Sequence, residues 1–333
     1  MTAPSCPVPG DVLAREIARE AGIPDDDPRA ARALDVLLAG LSEHGRYPEA
    51  LAAIEAGAGP DIARALRQLA ARFGDVAAAV PRRLGACPAV VFRTLSLLRT
   101  PNAGFHDIEK VCNCDPVIAA SLLRYANSAL FSHAPIRGVA PAIAYLGVED
   151  SKRVVLSAAA KPMLASAALP QLWEHSVDVA VIAEQIASAG HAVDPSEAFV
   201  AGLIHDMGRI ALHLHDVDAL ANAHRRFSAS PYCAVAADYV FTGADHGEMG
   251  AAVLSHWNLP PELLEAVRHH HRPEQHASPL ASVLYLAEEV SHSLEDFPHP
   301  ARLAAALRTA KVPSLNMFTS DLRRLGAALA MMG

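Results

Sequence analysis

The segment AGLIHDMGRI, residues 201–210, places an imidazole and a carboxylate side by side in a stretch that is otherwise apolar. Its apolar positions recur with the spacing of a buried helix face. Burying His205 and Asp206 there costs free energy unless each side chain finds a partner. The partner is either an ordinary protein group, such as a backbone carbonyl, or a metal ion. The segment therefore predicts a structural pair or part of a metal site.

Histidine is concentrated in one part of the chain. Twelve of the 17 histidines lie between His175 and His276, in less than a third of the sequence. Neutral imidazoles combined with carboxylates suit borderline divalent metals such as Fe, Mn, Zn, Ni or Co. The chemistry of the protein is therefore predicted to lie in this region.

The amino-acid composition and net charge restrict the class of protein. The 333 residues are 52% hydrophobic and 19% charged, which is typical of a globular protein. The net charge of -8 argues against direct nucleic-acid binding. No apolar segment is long enough to cross a bilayer and the N-terminus has no secretory leader, so we expect no membrane contact. Five scattered cysteines predict reduced thiols and a cytoplasmic location.

Helical periodicity runs through the chain and strand signals are scarce, which predicts an all-α fold. Asp115 followed by Pro116 has the form of an N-cap and a first helical residue, and Gly147 is expected to end a helix. The remaining helices are predicted from the apolar spacing and cap signals. They span 10–22, 27–45, 59–80, 173–189, 196–214, 245–257, 260–271 and 278–292.

Two neighbouring segments resemble a known family. VCNCDPVIAASLLRYANSALF (111–131) and IRGVAPAIAYLGVEDSKRVVL (136–156) are similar to the signature of bacterial HDOD domains, the HD-related output domains. In that signature a helix begins at Asp-Pro and ends near an Asn-Ser pair, and a stretch ending in Leu-Gly follows. Gly138 stands where the family usually has serine. The resemblance runs from about residue 80 to about residue 292.

The resemblance implies a multi-helix HDOD-like bundle that contains an HD-superfamily lobe. We divide the chain into an N-terminal helical unit of unknown role (1–79), an HDOD domain (80–292) and a C-terminal helical tail (293–333). Within the HDOD domain, residues 80–166 form the first lobe and residues 167–292 the histidine-rich HD-like lobe.

Most HDOD domains have lost the metal ligands of the related HD and HD-GYP phosphohydrolases, whereas this chain keeps residues at the corresponding places. His269 is a possible shifted member of the set, and Glu289 replaces Glu288 if the register differs by one. Each residue alone also has a structural explanation, such as a capping Asp206 or a solvated helix end at the His-His-His run. The metal ligands implied by the resemblance are His175, His205, Asp206, His246, His270, His271 and Glu288.

Three functions follow from the resemblance. The first is a bacterial signal-transduction module that acts through contacts with signalling proteins and retains one or two divalent transition-metal ions. The alternative is a metal-dependent phosphohydrolase of a nucleotide or phosphoester, in which Asp206 and Arg209 are catalytic. Arg209 replaces the lysine of HD-GYP proteins and the GYP loop is missing, so hydrolysis of that type is not expected. The third is a metal-free scaffold that keeps the residues as a relic.

Overall fold

The computed structural model describes residues 10–44, 47–71, 91–92, 94, 96, 103–128, 135–164, 170–215, 235, 238–240, 242–276, 278–292 and 306–312. All regular structure in these ranges is helical, which confirms the all-α prediction. None of the helices in them is long and apolar enough to cross a membrane. Residues 72–80, predicted as the end of a helix, and most of the predicted tail lie outside the described residues.

The α-helices are α1 (Gly10–Ala21), α2 (Pro28–His44), α3 (Tyr47–Gly57), α4 (Pro60–Ala71), α5 (Phe105–Cys114), α6 (Pro116–Ala126), α7 (Val139–Leu146), α8 (Val148–Leu164), α9 (Pro170–Gly190), α10 (Pro195–Ile204), α11 (Met207–His215), α12 (His246–His256), α13 (Pro261–His269) and α14 (Pro279–His292). A short 3-10 helix, Pro273–Gln275, follows α13. Helix α3 was not predicted from the sequence.

The chain forms two compact units, each assembled from separate stretches of sequence. The first contains Met1–Gly85, Met207–Ala277 and Leu294–Arg302, and the second contains Ala86–Asp206, Ser278–Ser293 and Leu303–Gly333. The change from one unit to the other falls between Asp206 and Met207. The division into 1–79, 80–292 and 293–333 stays a prediction.

In the first unit, α1 to α4 surround an aliphatic core. Ile17, Leu37, Ile54 and Leu66 are completely buried in it, and Tyr239 from a later part of the same unit packs with them. The amphipathic spacing of α1, α2 and α4 explains their packing, because each of these helices has an apolar face to bury. In the same unit α12 packs against both α11 and α13.

In the second unit, local signals set the helix ends as predicted. The Asp115 carboxylate accepts hydrogen bonds from the backbone nitrogens of Val117 (2.8 Å) and Ile118 (3.3 Å), so it is the N-cap of α6. Gly147 separates α7 from α8 with a φ of 84°, a conformation that glycine adopts without steric cost. Both predictions are confirmed.

Asn127, directly after α6, fastens the chain that follows. Its side-chain nitrogen donates to the carbonyl oxygens of Leu123 and Ile136, each at 2.8 Å, and its Oδ1 accepts from the Ile136 backbone nitrogen at 2.7 Å. One amide side chain therefore ties the end of α6 to the segment that leads into α7. This explains an asparagine at this position of the signature.

The helix predicted over 196–214 is wrong in one respect, because it is interrupted at the histidine–aspartate pair. Helix α10 ends at Ile204, residues 205 and 206 form a turn, and α11 begins at Met207. The His205 imidazole Nδ1 lies 2.7 Å from the Gly202 carbonyl oxygen. The His205 side chain thus competes for the Gly202 carbonyl oxygen, which would otherwise accept a hydrogen bond from a backbone N–H of the next helical turn.

Two glycines permit close helix contacts beside this turn. A methyl carbon on Gly202 would lie 2.6 Å from Cα of Ala180, where α10 crosses α9. A methyl carbon on Gly208 would overlap the His246 carbonyl oxygen and lie 2.8 Å from the Gly250 nitrogen. Gly208 therefore lets the backbones of α11 and α12 approach each other.

Candidate metal centre

Four of the predicted ligands meet inside the second unit. His175 comes from α9, His205 and Asp206 from the turn after α10, and Glu288 from α14. One ligand atom from each lies within 4.8 Å of all the others. His205 and Asp206 are completely buried, and Glu288 is 2% exposed. We call this set the histidine–carboxylate cluster.

The distances in the histidine–carboxylate cluster match those of a metal site. His205 Nε2 lies 3.0 Å from Glu288 Oε1 and 3.5 Å from Asp206 Oδ2. His175 Nε2 lies 3.3 Å from Glu288 Oε2 and 3.7 Å from Asp206 Oδ2. Ligand atoms around a tetrahedral zinc ion at about 2.0–2.2 Å are separated by about 3.4 Å. Small shifts would therefore place all four side chains around one ion.

The histidine side chains of this cluster present Nε2 to its centre. The Gly202 carbonyl oxygen accepts a hydrogen bond from Nδ1 of His205, so Nε2 is the ring nitrogen that faces the carboxylates. Nδ1 of His175 lies 3.4 Å from the Ser291 hydroxyl on α14. Such contacts behind the ligating nitrogen fix the ring in metal sites.

Burial and the carboxylates act in opposite directions on the two imidazoles. Burial favours a lower pKa for His205, but Asp206 and Glu288 outweigh it and raise that pKa to about 9. Burial lowers the pKa of His175, although Glu288 opposes the shift. Two buried carboxylates beside two imidazoles carry an excess of negative charge. A divalent cation at this point would balance it.

The other three predicted ligands meet in the first unit. His246 is the first residue of α12, and His270 and His271 follow α13. Their ligand atoms also lie within 4.8 Å of one another, and Nε2 of His271 is 2.7 Å from Nε2 of His246. We call this set the three-histidine cluster.

Hydrogen bonds orient two of these rings. Nδ1 of His246 lies 2.6 Å from the Asp238 carboxylate, and Nδ1 of His270 lies 2.5 Å from the Val267 carbonyl oxygen. Both rings therefore direct Nε2 to the cluster, as in carboxylate–histidine–metal arrangements. Asp238 was not predicted as a site residue; its signal in the sequence is a charged residue in an apolar stretch.

A buried ion pair supports the start of α12. Asp245 caps the helix by accepting from the Glu248 nitrogen at 2.8 Å, and Arg272 Nη2 lies 2.5 Å from Asp245 Oδ2. Burial would raise the pKa of Asp245, but the Arg272 guanidinium prevails and lowers it. Arg272 also lies over the Tyr239 ring, 5.5 Å from its centroid. These residues, which the sequence analysis did not select, hold His246 and the 270–272 segment in place.

The seven predicted ligands thus fall into a group of four in one unit and a group of three in the other. Glu288, not Glu289, belongs to the histidine–carboxylate cluster. His269 belongs to neither cluster and instead contacts Glu265 and His276. Arg209, the residue assigned to a hydrolase, lies on α11 in the first unit.

Part of the sequence is similar to a curated protein. A curated Treponema pallidum (strain Nichols) protein, itself described as uncharacterized, is 23% identical over 224 residues, which are 63% of this chain and 43% of that protein. The chain therefore spans less than half of this relative.

Three crystal structures are similar at identities that show the fold alone. An HDOD domain protein from Geobacter sulfurreducens is 20% identical with a TM-score of 0.56, covering 72% of this chain and 86% of that one. A Shewanella amazonensis SB2B protein called "Putative phosphohydrolase" is 21% identical with a TM-score of 0.57, covering 78% and 95%. A Marinobacter aquaeolei VT8 "Putative signal transduction protein" is 17% identical with a TM-score of 0.58, covering 85% and 72%.

The HDOD domain family model matches residues 84–273, which include both segments that carry the resemblance and six of the seven predicted ligands. The match covers more than half of the sequence. This chain belongs to the HDOD domain family.

Proposed function

We propose that this protein is a signal-transduction module that holds a divalent transition metal in its histidine–carboxylate cluster and acts through contacts with signalling proteins. The observation that carries the proposal is the convergence of four donor groups within 4.8 Å at a buried point. Two imidazoles and two carboxylates are a suitable donor set for Fe, Mn, Zn, Co or Ni.

The cluster connects elements that are far apart in the sequence. His175, the 205–206 turn and Glu288 belong to three parts of the second unit whose helices α9, α10 and α14 pack against one another. An ion held by all of them would cross-link these helices. Metal binding would then stabilise the packed arrangement over any looser one, which links metal occupancy to the shape of the unit.

One feature supports action through protein contacts. The Marinobacter aquaeolei protein, which shares the fold, has signal transduction in its name.

Metal content after purification without chelator tests the proposal. We expect wild-type protein expressed with Fe, Mn and Zn to carry about one more ion per chain than Glu288→Gln. Glu289→Gln is the matched control because it changes the adjacent residue, which lies outside the cluster, and it should keep the wild-type content. Wild-type protein without transition metal would overturn the proposal.

The regulatory role of the ion is tested by comparing metal-loaded with metal-free protein. Hydrogen exchange should slow in α9 and α14 of the loaded wild type and remain unchanged in Glu288→Gln, because the ion joins these helices. Affinity capture of signalling proteins from a bacterial lysate should depend on the metal in the same way. Equal exchange in both states would contradict a regulatory role for the ion.

One observation favours a second candidate, a metal-dependent phosphohydrolase. The Shewanella amazonensis SB2B protein that shares the fold is called "Putative phosphohydrolase". In this chain Asp206 would hold the metal, which supplies an activated water when bound. Assays of phosphoesters and cyclic nucleotides with Mn or Fe separate the candidates. Turnover that Asp206→Asn abolishes would establish the hydrolase, whereas equal rates for both proteins would leave the regulatory module.

A further inference from the structure

A third cluster of ligand-type side chains lies in the first unit. Glu265 and His269 are on α13, and His276 follows the 3-10 helix. We infer that these three residues form a separate surface site for one divalent transition metal, with Zn²⁺, Cu²⁺ and Ni²⁺ as the ions that this donor set favours. The inference does not rest on the proposed function, because it uses none of the same residues.

The helix positions two of the three donors. Glu265 and His269 are four residues apart, so they lie on the same face of α13 one turn from each other. Glu265 Oε2 is 3.4 Å from His269 Nε2. This is the separation of about 3.4 Å expected for two ligand atoms on a tetrahedral zinc ion.

The third donor is placed by the turn after the helix. The chain reverses through Pro273–Gln275, and the His276 ring stacks on the His269 ring with centroids 5.2 Å apart and planes at 18°. One ligand atom from each of the three side chains lies within 4.8 Å of the others. His276 is exposed, so a fourth coordination position would face solvent or an external ligand.

Arg268 fixes the carboxylate without occupying the site. Its Nη1 lies 3.2 Å from Glu265 Oε1, which leaves Oε2 directed to His269. The Arg268 charge opposes a bound cation, but its side chain is 42% exposed and solvent screens the repulsion. The site should therefore bind more weakly than a buried one.

The run of three histidines thus serves two clusters. His270 and His271 belong to the three-histidine cluster, whereas His269 pairs with Glu265 and His276. The sequence alone offered His269 only as a shifted partner of its neighbours. The structure gives it different partners and adds His276, which carried no motif.

Zinc titration of the metal-free full-length protein tests the site. We expect His276→Ala to lose about one zinc equivalent, or to bind that equivalent at least about tenfold more weakly, because one of three protein ligands is gone. His106→Ala is the matched control: His106 is an exposed histidine paired with Glu109 at 3.3 Å, outside all three clusters. It should bind like the wild type.

Further variants keep the result interpretable. Glu265→Gln should reproduce the loss, and Glu288→Gln should retain the surface equivalent while losing the buried one. Circular dichroism should show wild-type helicity for His276→Ala, since His276 is exposed. Equal zinc stoichiometry and affinity for wild type, His276→Ala and Glu265→Gln would overturn the inference, whatever the state of the histidine–carboxylate cluster.

Discussion

Nε2 of His205 lies 3.0 Å from Oε1 of Glu288, although 83 positions separate the two residues in the chain. Glu288 lies on α14 and His205 in the turn that follows α10. The packing of α10 against α14 brings the two side chains together.

Shortening the Glu288 side chain should weaken metal binding. In Glu288→Asp the carboxylate is withdrawn from His205, and we expect an affinity at least about tenfold lower at the histidine–carboxylate cluster. Competition with a chromophoric chelator measures the change. Glu289→Asp should bind like the wild type, and an undiminished affinity in Glu288→Asp would contradict the expectation that binding depends on the reach of the Glu288 side chain.

Asp238 should control the three-histidine cluster from outside it. Asp238→Asn replaces the carboxylate that lies 2.6 Å from Nδ1 of His246, so the ring loses its fixed proton and orientation. We expect any metal bound there to be held about 10–100-fold more weakly. Titration with Co²⁺, followed by absorption, reports this loss. The affinity of the histidine–carboxylate cluster should stay at the wild-type value, and an equal decrease at both clusters would indicate general damage to the fold.

Gly208 should be intolerant of a side chain. In Gly208→Ala the added methyl carbon would overlap the His246 carbonyl oxygen, so α11 and α12 must separate. We expect this change to lower the unfolding free energy by about 3 kcal/mol or more. Gly57→Ala is the control because its added carbon meets only Val36, at 3.9 Å. That change should stabilise α3 by up to about 1 kcal/mol. Urea unfolding of both variants tests the difference, and similar effects would contradict the close helix contact.

Alkaline pH should remove stability contributed by the buried Cys112 thiol. Burial raises its pKa from 9.0 to about 11. The folded state thus favours the neutral thiol. The contribution of this thiol to the free energy of unfolding is complete below pH 9 and is lost as the pH rises through 11. The advantage of the wild type over Cys112→Ala in unfolding free energy should therefore shrink between pH 8 and pH 11.

Unfolding curves of Cys114→Ala over the same pH range control for the loss of a cysteine, since Cys114 is exposed at the end of the same helix. An advantage of the wild type over Cys112→Ala that stays constant from pH 8 to pH 11 would contradict the assigned burial effect.

Helix ends with strong local signals were predictable from sequence. Asp115 and Pro116 supply an N-cap and a preset φ, and Gly147 supplies a conformation that other residues avoid, so neighbouring residues alone determine those boundaries. Helix α3 was missed because its alanine-rich sequence has no distinct apolar stripe or cap. The break at 205–206 was missed because the apolar spacing continues across it, and only the bond from His205 to the Gly202 carbonyl reveals it.

The identity of the candidate ligands was predictable, but their grouping was not. The resemblance implies His175, His205, Asp206 and Glu288 as ligands, but it does not state the distances between them. Whether His246 joins them or the 270–271 pair depends on how helices pack, and nothing in the local sequence encodes this. Asp238 and Arg272 were missed for the same reason, because they act through contacts that only the folded chain creates.

X-ray diffraction from metal-loaded crystals, collected at the absorption edge of the bound metal, tests the central claim most directly. The account predicts an anomalous difference peak about 2.0–2.2 Å from Nε2 of His175 and His205 and from carboxylate oxygens of Asp206 and Glu288. Loaded crystals in which these four side chains surround no anomalous peak would contradict it.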